Sequence, residues 1–302
     1  MRRTTRIFML GALTCAILLP ALPAHARWEG RVVAQDSLKY PNTPIPDPTG
    51  IAYNAKKGYF FISDAEVDET PSLWNNRNLF IVGRGGNLKA ARRLKMTTEP
   101  EGIAWWGAKG ILFVTDDDQD LILQYKKGRD GAIGTGDDKV KKLINTRRWG
   151  SLDPEGITFS PKGTMLIWVD AGDQKVYKLR RGRDHRFGTA DDKISKFGTA
   201  KFGFTQAESV AVHPVSNHVF IVNSNVNEIV ETTFKGALVK RIIIPSSECP
   251  PACNLTGLVF APGTDGAPRR LYLTDKGVDG DFNPDPAQVN DGQLYQMRLV
   301  NV

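Results

Sequence analysis

Short runs of alternating apolar and polar residues follow one another along most of this chain. Residues 111–115 and 165–169 are rich in Ile, Leu, Val and aromatic side chains, and turns rich in Gly, Asp or Pro bound them. A period of two with such boundaries predicts β-strands. No stretch shows the 3.6-residue periodicity of an amphipathic helix. The pattern therefore predicts an all-β protein.

The strands belong to a repeat. Five copies of one motif, typified by residues 100–105 and 154–159, carry a small residue at the third position. These third positions, separated by 52, 54, 53 and 48 residues, are Gly50, Gly102, Gly156, Ser209 and Gly257. A fixed period of this length built from short strands predicts a β-propeller with one four-stranded blade per repeat.

The repeat count predicts five blades, and six is the alternative if a long loop hides a degenerate blade. The last repeat stops one strand short at the end of the chain. We predict that residues 30–35 supply the missing strand, which would close the ring and leave no open sheet edge. Residues 27–302 would then form a single propeller domain.

The first 26 residues have the features of a secretory signal peptide. Arg2, Arg3 and Arg6 precede an apolar run, and Ala24-His25-Ala26 is a small-x-small cleavage site. The run is too short to favour a membrane span. These features predict an exported protein, periplasmic or secreted.

Charge and cysteine content narrow the class further. The chain has 40 basic and 33 acidic residues, and no stripe of Lys and Arg with interleaved aromatics, so no nucleic-acid partner is expected. Outside the signal only Cys249 and Cys253 remain. Two thiolates alone make no zinc site, whereas a disulfide is expected in an exported protein.

Acidic and amide residues recur at both loops that should open on one mouth of the propeller. The loop entering the first strand of each blade carries Thr49, Glu101, Glu155, Glu208 and Thr256. The loop leaving the second strand carries Asp64, Asp116, Asp170, Asn223 and Asp275. Because these loops lie near the axis, the side chains are expected to converge.

Two interpretations of this acidic mouth remain open. Clustered carboxylates and amides suit a divalent cation, calcium above all, and the absence of His argues against zinc. Of the ten residues at these two loop positions, seven are the predicted metal ligands: Glu101, Glu155, Glu208, Asn223, Asp116, Asp170 and Asp275. The alternative is structural: an Asp at a strand end often accepts hydrogen bonds from the amides of its own turn.

Two longer loops add carboxylates beside the mouth. Asp64 is followed by Glu66 and Asp68, and Asp275 by Asp279 and Asp281. The first and last blades would be neighbours in a closed ring. We therefore predict that both loops overhang one sector and contact a ligand there.

A second recurring motif occurs between the third and fourth strands of two blades. Residues 128–138 and 182–192 share the pattern Gly-Arg-Asp-x-x-x-Gly-Thr-x-Asp-Asp. Its aspartates could bind calcium, but the twelve-residue loop with a terminal Glu is not met. Stabilisation of a long hairpin by Asx turns is the preferred interpretation.

The Glu-Gly-Ile strand starts and the Asp strand ends resemble the gluconolactonase-like (SMP-30-like) and NHL-type propellers. Residues 62–69 and 153–156 also look like a family of exported bacterial propellers. The resemblance implies one divalent cation in the mouth. It implies that Glu101 or Glu155 matches the family's Glu and Asn223 its Asn, and that Asp275 matches its catalytic Asp.

Two hypotheses of function follow. The first is a calcium-dependent hydrolase of lactones or esters, in which the cation polarises a carbonyl and Asp275 activates water. The second is a non-catalytic module that binds a small molecule, a glycan or a protein at the mouth. A monomer is expected in both. A Ser-His-Asp hydrolase is disfavoured, because no Gly-x-Ser-x-Gly elbow exists.

Overall fold

The computed structural model describes residues 27–65, 76–249, 253–277 and 292–302. This part of the chain is all-β and holds twenty strands and three short 3-10 helices. The helices are Thr146–Trp149, Ala200–Phe202 and Ser224–Val226. None of the helices in these ranges is long and apolar enough to cross a bilayer.

The strands fall into five four-stranded sets, numbered here as blades 1 to 5 in chain order. Blade 1 holds β2 (Pro48–Asn54), β3 (Tyr59–Asp64), β4 (Leu79–Gly83) and β5 (Leu88–Arg92). Blade 2 holds β6 (Ile103–Trp106), β7 (Ile111–Asp116), β8 (Leu121–Lys126) and β9 (Lys139–Asn145). Blade 3 holds β10 (Pro154–Phe159), β11 (Met165–Asp170), β12 (Lys175–Arg180) and β13 (Lys193–Gly198).

The last two blades form one nearly closed eight-stranded sheet. Blade 4 holds β14 (Ala207–Val212), β15 (Val219–Asn223), β16 (Glu228–Thr232) and β17 (Leu238–Ile243). Blade 5 holds β18 (Leu255–Ala261), β19 (Arg270–Asp275), β20 (Gln293–Asn301) and β1 (Trp28–Ser37). A short parallel contact of β1 with β17 joins them, at Trp28↔Ile242 and Glu29↔Ile243.

The outer strand of blade 5 comes from the other end of the described chain. β1 pairs antiparallel with β20 from Trp28↔Asn301 to Ser37↔Gln293, with an irregularity between Val32 and Ala34. The predicted pairing of residues 30–35 with the last repeat is therefore confirmed. Both edges of β20 are hydrogen-bonded as a result, to β19 and to β1.

The first strands of the blades contact one another in cyclic order: β2, β6, β10, β14, β18 and again β2. The repeated glycine explains how close they come. A Cβ on Gly102 would lie 2.5 Å from the Cα of Gly156, and one on Gly156 would lie 2.5 Å from the Cα of Ser209. Any larger side chain at these positions would push the neighbouring blades apart.

The hydrophobic core lies between the blades. Ile51 packs in one cluster with Phe60 and Tyr272, which bridges blades 1 and 5. Ile103 belongs to the cluster that joins blades 1 and 2, and Ile157 to the one that joins blades 2 and 3. The isoleucine after each repeated glycine therefore packs between blades, as the alternation of the first strand predicts.

Two local predictions concern loops. Cys249 and Cys253 are joined by a disulfide. In the loop of residues 128–138, Asp137 accepts the amide protons of Arg129 and Asp130, and Asp138 accepts those of Gly134 and Thr135. The loop of residues 182–192 repeats the pattern. Asp130 also accepts the amide proton of Ala132, and Asp184 that of Arg186, each two residues further on. These are Asx turns, so the Asx-turn interpretation is confirmed for both loops.

Candidate functional site in the propeller mouth

Three glutamates start the innermost strands of three consecutive blades. Glu101 directly precedes Gly102, which leads into β6. Glu155 and Glu208 are the second residues of β10 and β14. Glu101 is only 8% exposed, and its carboxylate makes no hydrogen bond or ion pair within the described ranges. Glu208 accepts a hydrogen bond of 3.0 Å from the Ser224 hydroxyl.

These carboxylates act on one another electrostatically. Burial, followed by the charge of Asp117, raises the pKa of Glu101 well above its usual range, although Lys276 opposes the shift. Burial, followed by the charges of Glu101 and Glu208, does the same to the pKa of Glu155. Mutual repulsion of this kind shows that the three side chains face a common space.

Three further carboxylates, which sequence reasoning did not identify, belong to the same cluster. Glu99, Glu101 and Asp117 place ligand atoms within 4.8 Å of one another, and so do Asp117, Asp153 and Glu155. Asp117 belongs to both groups. Burial raises its pKa to about 7, with added contributions from the negative charges of Asp153 and Asp118.

A sequence signal for two of these residues existed. Glu99 and Asp153 each stand two positions before a predicted site glutamate, and side chains at i and i+2 of an extended segment point the same way. Burial raises the pKa of Asp153, and its neighbour Glu155 opposes the shift. The close approach of these carboxyl groups suits a shared cation.

Asn223 supplies a neutral oxygen in the same quarter of the mouth. It ends β15, it is fully buried, and the oxygen and nitrogen of its amide have no hydrogen-bond partner in the described structure. Its backbone pairs with Ala207, next to Glu208. A buried amide without a partner is unfavourable, so this side chain is suited to a ligand.

The aspartates that leave the second strands make a different set of contacts. Asp116 accepts the Gln119 amide proton at 2.8 Å. Asp170 accepts those of Asp153 and Asp173 at 3.1 and 2.7 Å. These contacts match the structural alternative, in which a strand-end Asp fixes its own loop.

The remaining two aspartates of this position follow the same rule. Asp64 accepts the Asp47 amide proton at 3.3 Å, and Asp275 accepts those of Asn254 and Gly277 at 2.7 and 2.8 Å. The predicted ligand-loop residues Glu66, Asp68, Asp279 and Asp281 lie outside the described residues.

Blades 1 and 5 carry threonine where the other three blades carry glutamate. The Thr256 hydroxyl donates to the Pro48 carbonyl at 2.5 Å, across the boundary between blades 5 and 1. The Thr49 hydroxyl lies 3.3 Å from the carbonyls of Pro100 and Glu101 in blade 2. At this repeat position, the residue before the repeated small residue, carboxylates therefore occur in blades 2, 3 and 4.

Comparison with known proteins supports the fold. Glutaminyl cyclase from Myxococcus xanthus superposes with a TM-score of 0.56 at 13% identity, over 92% of this chain and 99% of that one. A PQQ-bound aldose sugar dehydrogenase from Streptomyces coelicolor gives 0.52 at 10%, over 91% and 99%. Regucalcin from Agrobacterium tumefaciens gives 0.50 at 16%, over 90% and 95%.

At such identities the likeness extends to the fold alone. No protein-family model and no curated protein sequence matches the chain. Function must therefore be argued from the mouth itself.

Proposed function

We propose that this chain is an exported, monomeric β-propeller of five blades whose mouth binds a divalent cation, calcium in the first place, together with a ligand. The cyclic contact of the five innermost strands supports the blade number. The disulfide supports export. Glu101, Glu155, Glu208 and Asn223 would hold the cation, with Asp117 and Asp153 at its edge.

The observation that carries the proposal is the uncompensated charge around Glu101. Its buried carboxylate has no hydrogen-bond donor within the described ranges, and four neighbouring carboxylates repel one another across the same space. Buried charges are normally paired or bound to a metal. Lys276 is the cation that acts on Glu101 in the described part of the mouth, and one positive charge does not balance the set.

The donor set fits calcium. Carboxylate and amide oxygens are its preferred ligands, and a mouth assembled from three blades offers the variable geometry that it accepts. The regucalcin of the same fold is a calcium-binding protein, and the resemblance of the Glu-Gly strand starts to gluconolactonase-like propellers implies the same ion. A bound cation would polarise the carbonyl of a lactone or ester.

A hydrolase is the first candidate activity, and a non-catalytic binding module is the second. One observation favours the second. Asp275, the residue that the family resemblance marks as catalytic, accepts hydrogen bonds from the Asn254 and Gly277 amides. Such bonds fix the carboxylate within its own loop, as at the other strand-end aspartates. If the mouth hydrolyses a substrate, the adjacent carboxyl groups of Asp153 and Glu155, whose oxygens lie within 4.8 Å of each other, are better placed to move a proton.

Calcium should raise the melting temperature of the purified protein, because a ligand bound only by the native state stabilises it by mass action. At a calcium concentration about 100 times the dissociation constant, the gain is about 2.7 kcal/mol. The response should disappear in Glu155→Gln. Without calcium the same variant should melt at the wild-type temperature or above it, since a repelling charge is gone.

Asp184→Asn is the matched control. It removes one carboxylate charge from the exposed loop of residues 182–192, so its calcium response should equal that of the wild type. If calcium and magnesium both leave the melting curve unmoved, the cation site and the cation-dependent hydrolase are both wrong. If calcium binds but a panel of lactones and esters is not turned over, the binding module is the better description.

A further inference from the structure

A second candidate site lies between blades 1 and 2, at the opposite end of the innermost strands from the mouth. It is a cleft of about 800 Å³ bordered by the turn between β2 and β3 and by the loop of residues 128–138. Tyr59, Phe61 and Trp105 form its aromatic lining, and Lys56, Lys57 and Lys127 lie around it. Its volume is typical of ligand sites.

Several polar side chains of the cleft have no protein partner within the described ranges. The Tyr59 hydroxyl and the Trp105 indole N–H make no hydrogen bond in the described structure, and none of the three lysines forms an ion pair there. Among the described residues that line the cleft, one carries a carboxylate, Asp130. Three cations therefore face one anion beside an apolar surface.

The neighbouring groove, between blades 2 and 3, shows what the same repeat looks like when it is filled. Trp106 occupies the position that Asn54 holds in blade 1, and Phe187 the position that Ile133 holds in the loop. The rings of Trp106 and Phe187 lie 5.6 Å apart.

The basic side chain also differs between the open cleft and the filled groove. Arg181 stands where Lys127 stands one blade earlier, and its guanidinium lies 5.2 Å from the centre of the Trp106 ring. Lys127 has no ring or ion-pair partner in the described residues. The open cleft is thus a property of these side chains and not a consequence of the propeller architecture.

We propose that the cleft binds an acidic oligosaccharide, a short chain of sugars that carry carboxylates. Aromatic rings cover the apolar faces of sugar rings, and the Tyr59 hydroxyl and Trp105 indole would donate to sugar oxygens. Lys56 and Lys57 come from blade 1 and Lys127 from blade 2, so the charges stand on opposite walls. That arrangement fits anionic groups spaced along a chain.

The ring geometry argues against a nucleotide. Tyr59 and Phe61 are perpendicular, and Phe61 and Trp105 are inclined at 49°. Neither of these two pairs forms the parallel-walled slot that would sandwich a planar base.

Titration calorimetry on the full chain tests the proposal, with tetragalacturonate and a neutral glucose tetramer as probes. EDTA is present throughout, so the outcome does not depend on a cation in the mouth. Tetragalacturonate should bind at least ten times more tightly than the neutral tetramer. Raising the salt concentration should weaken it, because its contacts with the lysines are screened.

Matched variants locate the binding. Lys57→Ala should weaken tetragalacturonate at least fivefold. Lys109→Ala, the same turn position beside the filled groove, should leave the affinity unchanged. Asn54→Trp with Ile133→Phe should abolish binding by filling the cleft as Trp106 and Phe187 fill its neighbour. Melting temperature is measured for each variant, so that a loss of fold is recognised.

Several results would overturn the proposal. The proposal is wrong if tetragalacturonate does not bind or if the neutral tetramer binds equally well. It is also wrong if Lys109→Ala loses as much affinity for tetragalacturonate as Lys57→Ala does. Equal binding of a tetraglutamate peptide would mean that the cleft selects charge alone and not sugar.

Discussion

The two sectors of the mouth use one repeat position in opposite ways. In blades 5 and 1 the residue before the repeated glycine is threonine, and its hydroxyl reaches a backbone carbonyl of the next blade. In blades 2, 3 and 4 the same residue is glutamate, and the environment raises the pKa of Glu101 and Glu155. The first sector holds blades together, and the second accumulates unbalanced charge.

The difference teaches how a repeat protein separates stability from binding. The hydroxyls of Thr49 and Thr256 have partners inside the protein, so each contributes to folding with nothing bound. The buried Glu101 carboxylate and the Asn223 amide have none in the described structure, so they contribute only when something else supplies the partner. Substitutions in the two sectors should therefore differ in sign.

The largest effect is expected from removing residues 27–37, which form the outer strand of blade 5. The deletion exposes the full length of β20 as an unpaired edge and removes the parallel pairing of β1 with β17 of blade 4. We expect the melting temperature to fall by about 10 °C or more and the transition to broaden. Calorimetry measures both, and a sharp transition at the wild-type temperature would contradict the role of β1 in closing the ring.

A smaller loss is expected from Thr256→Val. The substitution keeps the shape but leaves the buried Pro48 carbonyl without its side-chain donor, which should cost about 1 to 2 kcal/mol. Chemical denaturation with and without calcium measures the change, and the loss should be equal in both. Thr158→Val is the control, because that hydroxyl makes no hydrogen bond within the described ranges. Equal losses in the two variants would show that the bond across the blades contributes nothing.

The smallest effect concerns pH. Burial raises the pKa of Asp117 to about 7, so the folded protein holds a proton that the unfolded chain has released above about pH 4. Stability in calcium-free buffer should therefore fall as pH rises from 4 to 7, and the melting temperature should fall with it. Asp117→Asn should flatten this slope. Since protons compete with the cation, the calcium response should grow over the same range, and a response that shrinks with pH would count against the site.

Much of the fold could be predicted because its determinants are local and repeated. Gly102 and Gly156 recur where neighbouring strands nearly touch, and a single interval locates every innermost strand. Counting strands was enough to predict that the segment around Gly30 completes the last blade. The signal peptide and the domain limits remain predictions, since residues 1–26 lie outside the described part.

The site was predicted less completely, for a physical reason. Asp116 and Glu155 have the same chemistry in a sequence, and only their surroundings distinguish a turn acceptor from a carboxylate that faces other carboxylates. Asp117 was missed because it has no counterpart of the same kind in every blade, so the repeat does not reveal it. Asn223 was predicted as a ligand, and its lack of a partner is visible only once its neighbours are placed.

The pairing of β1 with β20 also fixes an order of events in folding. The first strand of the described chain has no complete partner until the last one exists, so a ribosome or an export channel that releases the chain from its N-terminus releases an unpaired β1. Contacts at such sequence separation form late, because closing the long loop between them costs chain entropy. The ring therefore closes last: blades 1 to 3 can form their sheets early, and the mouth takes its final shape only when β1 meets β20.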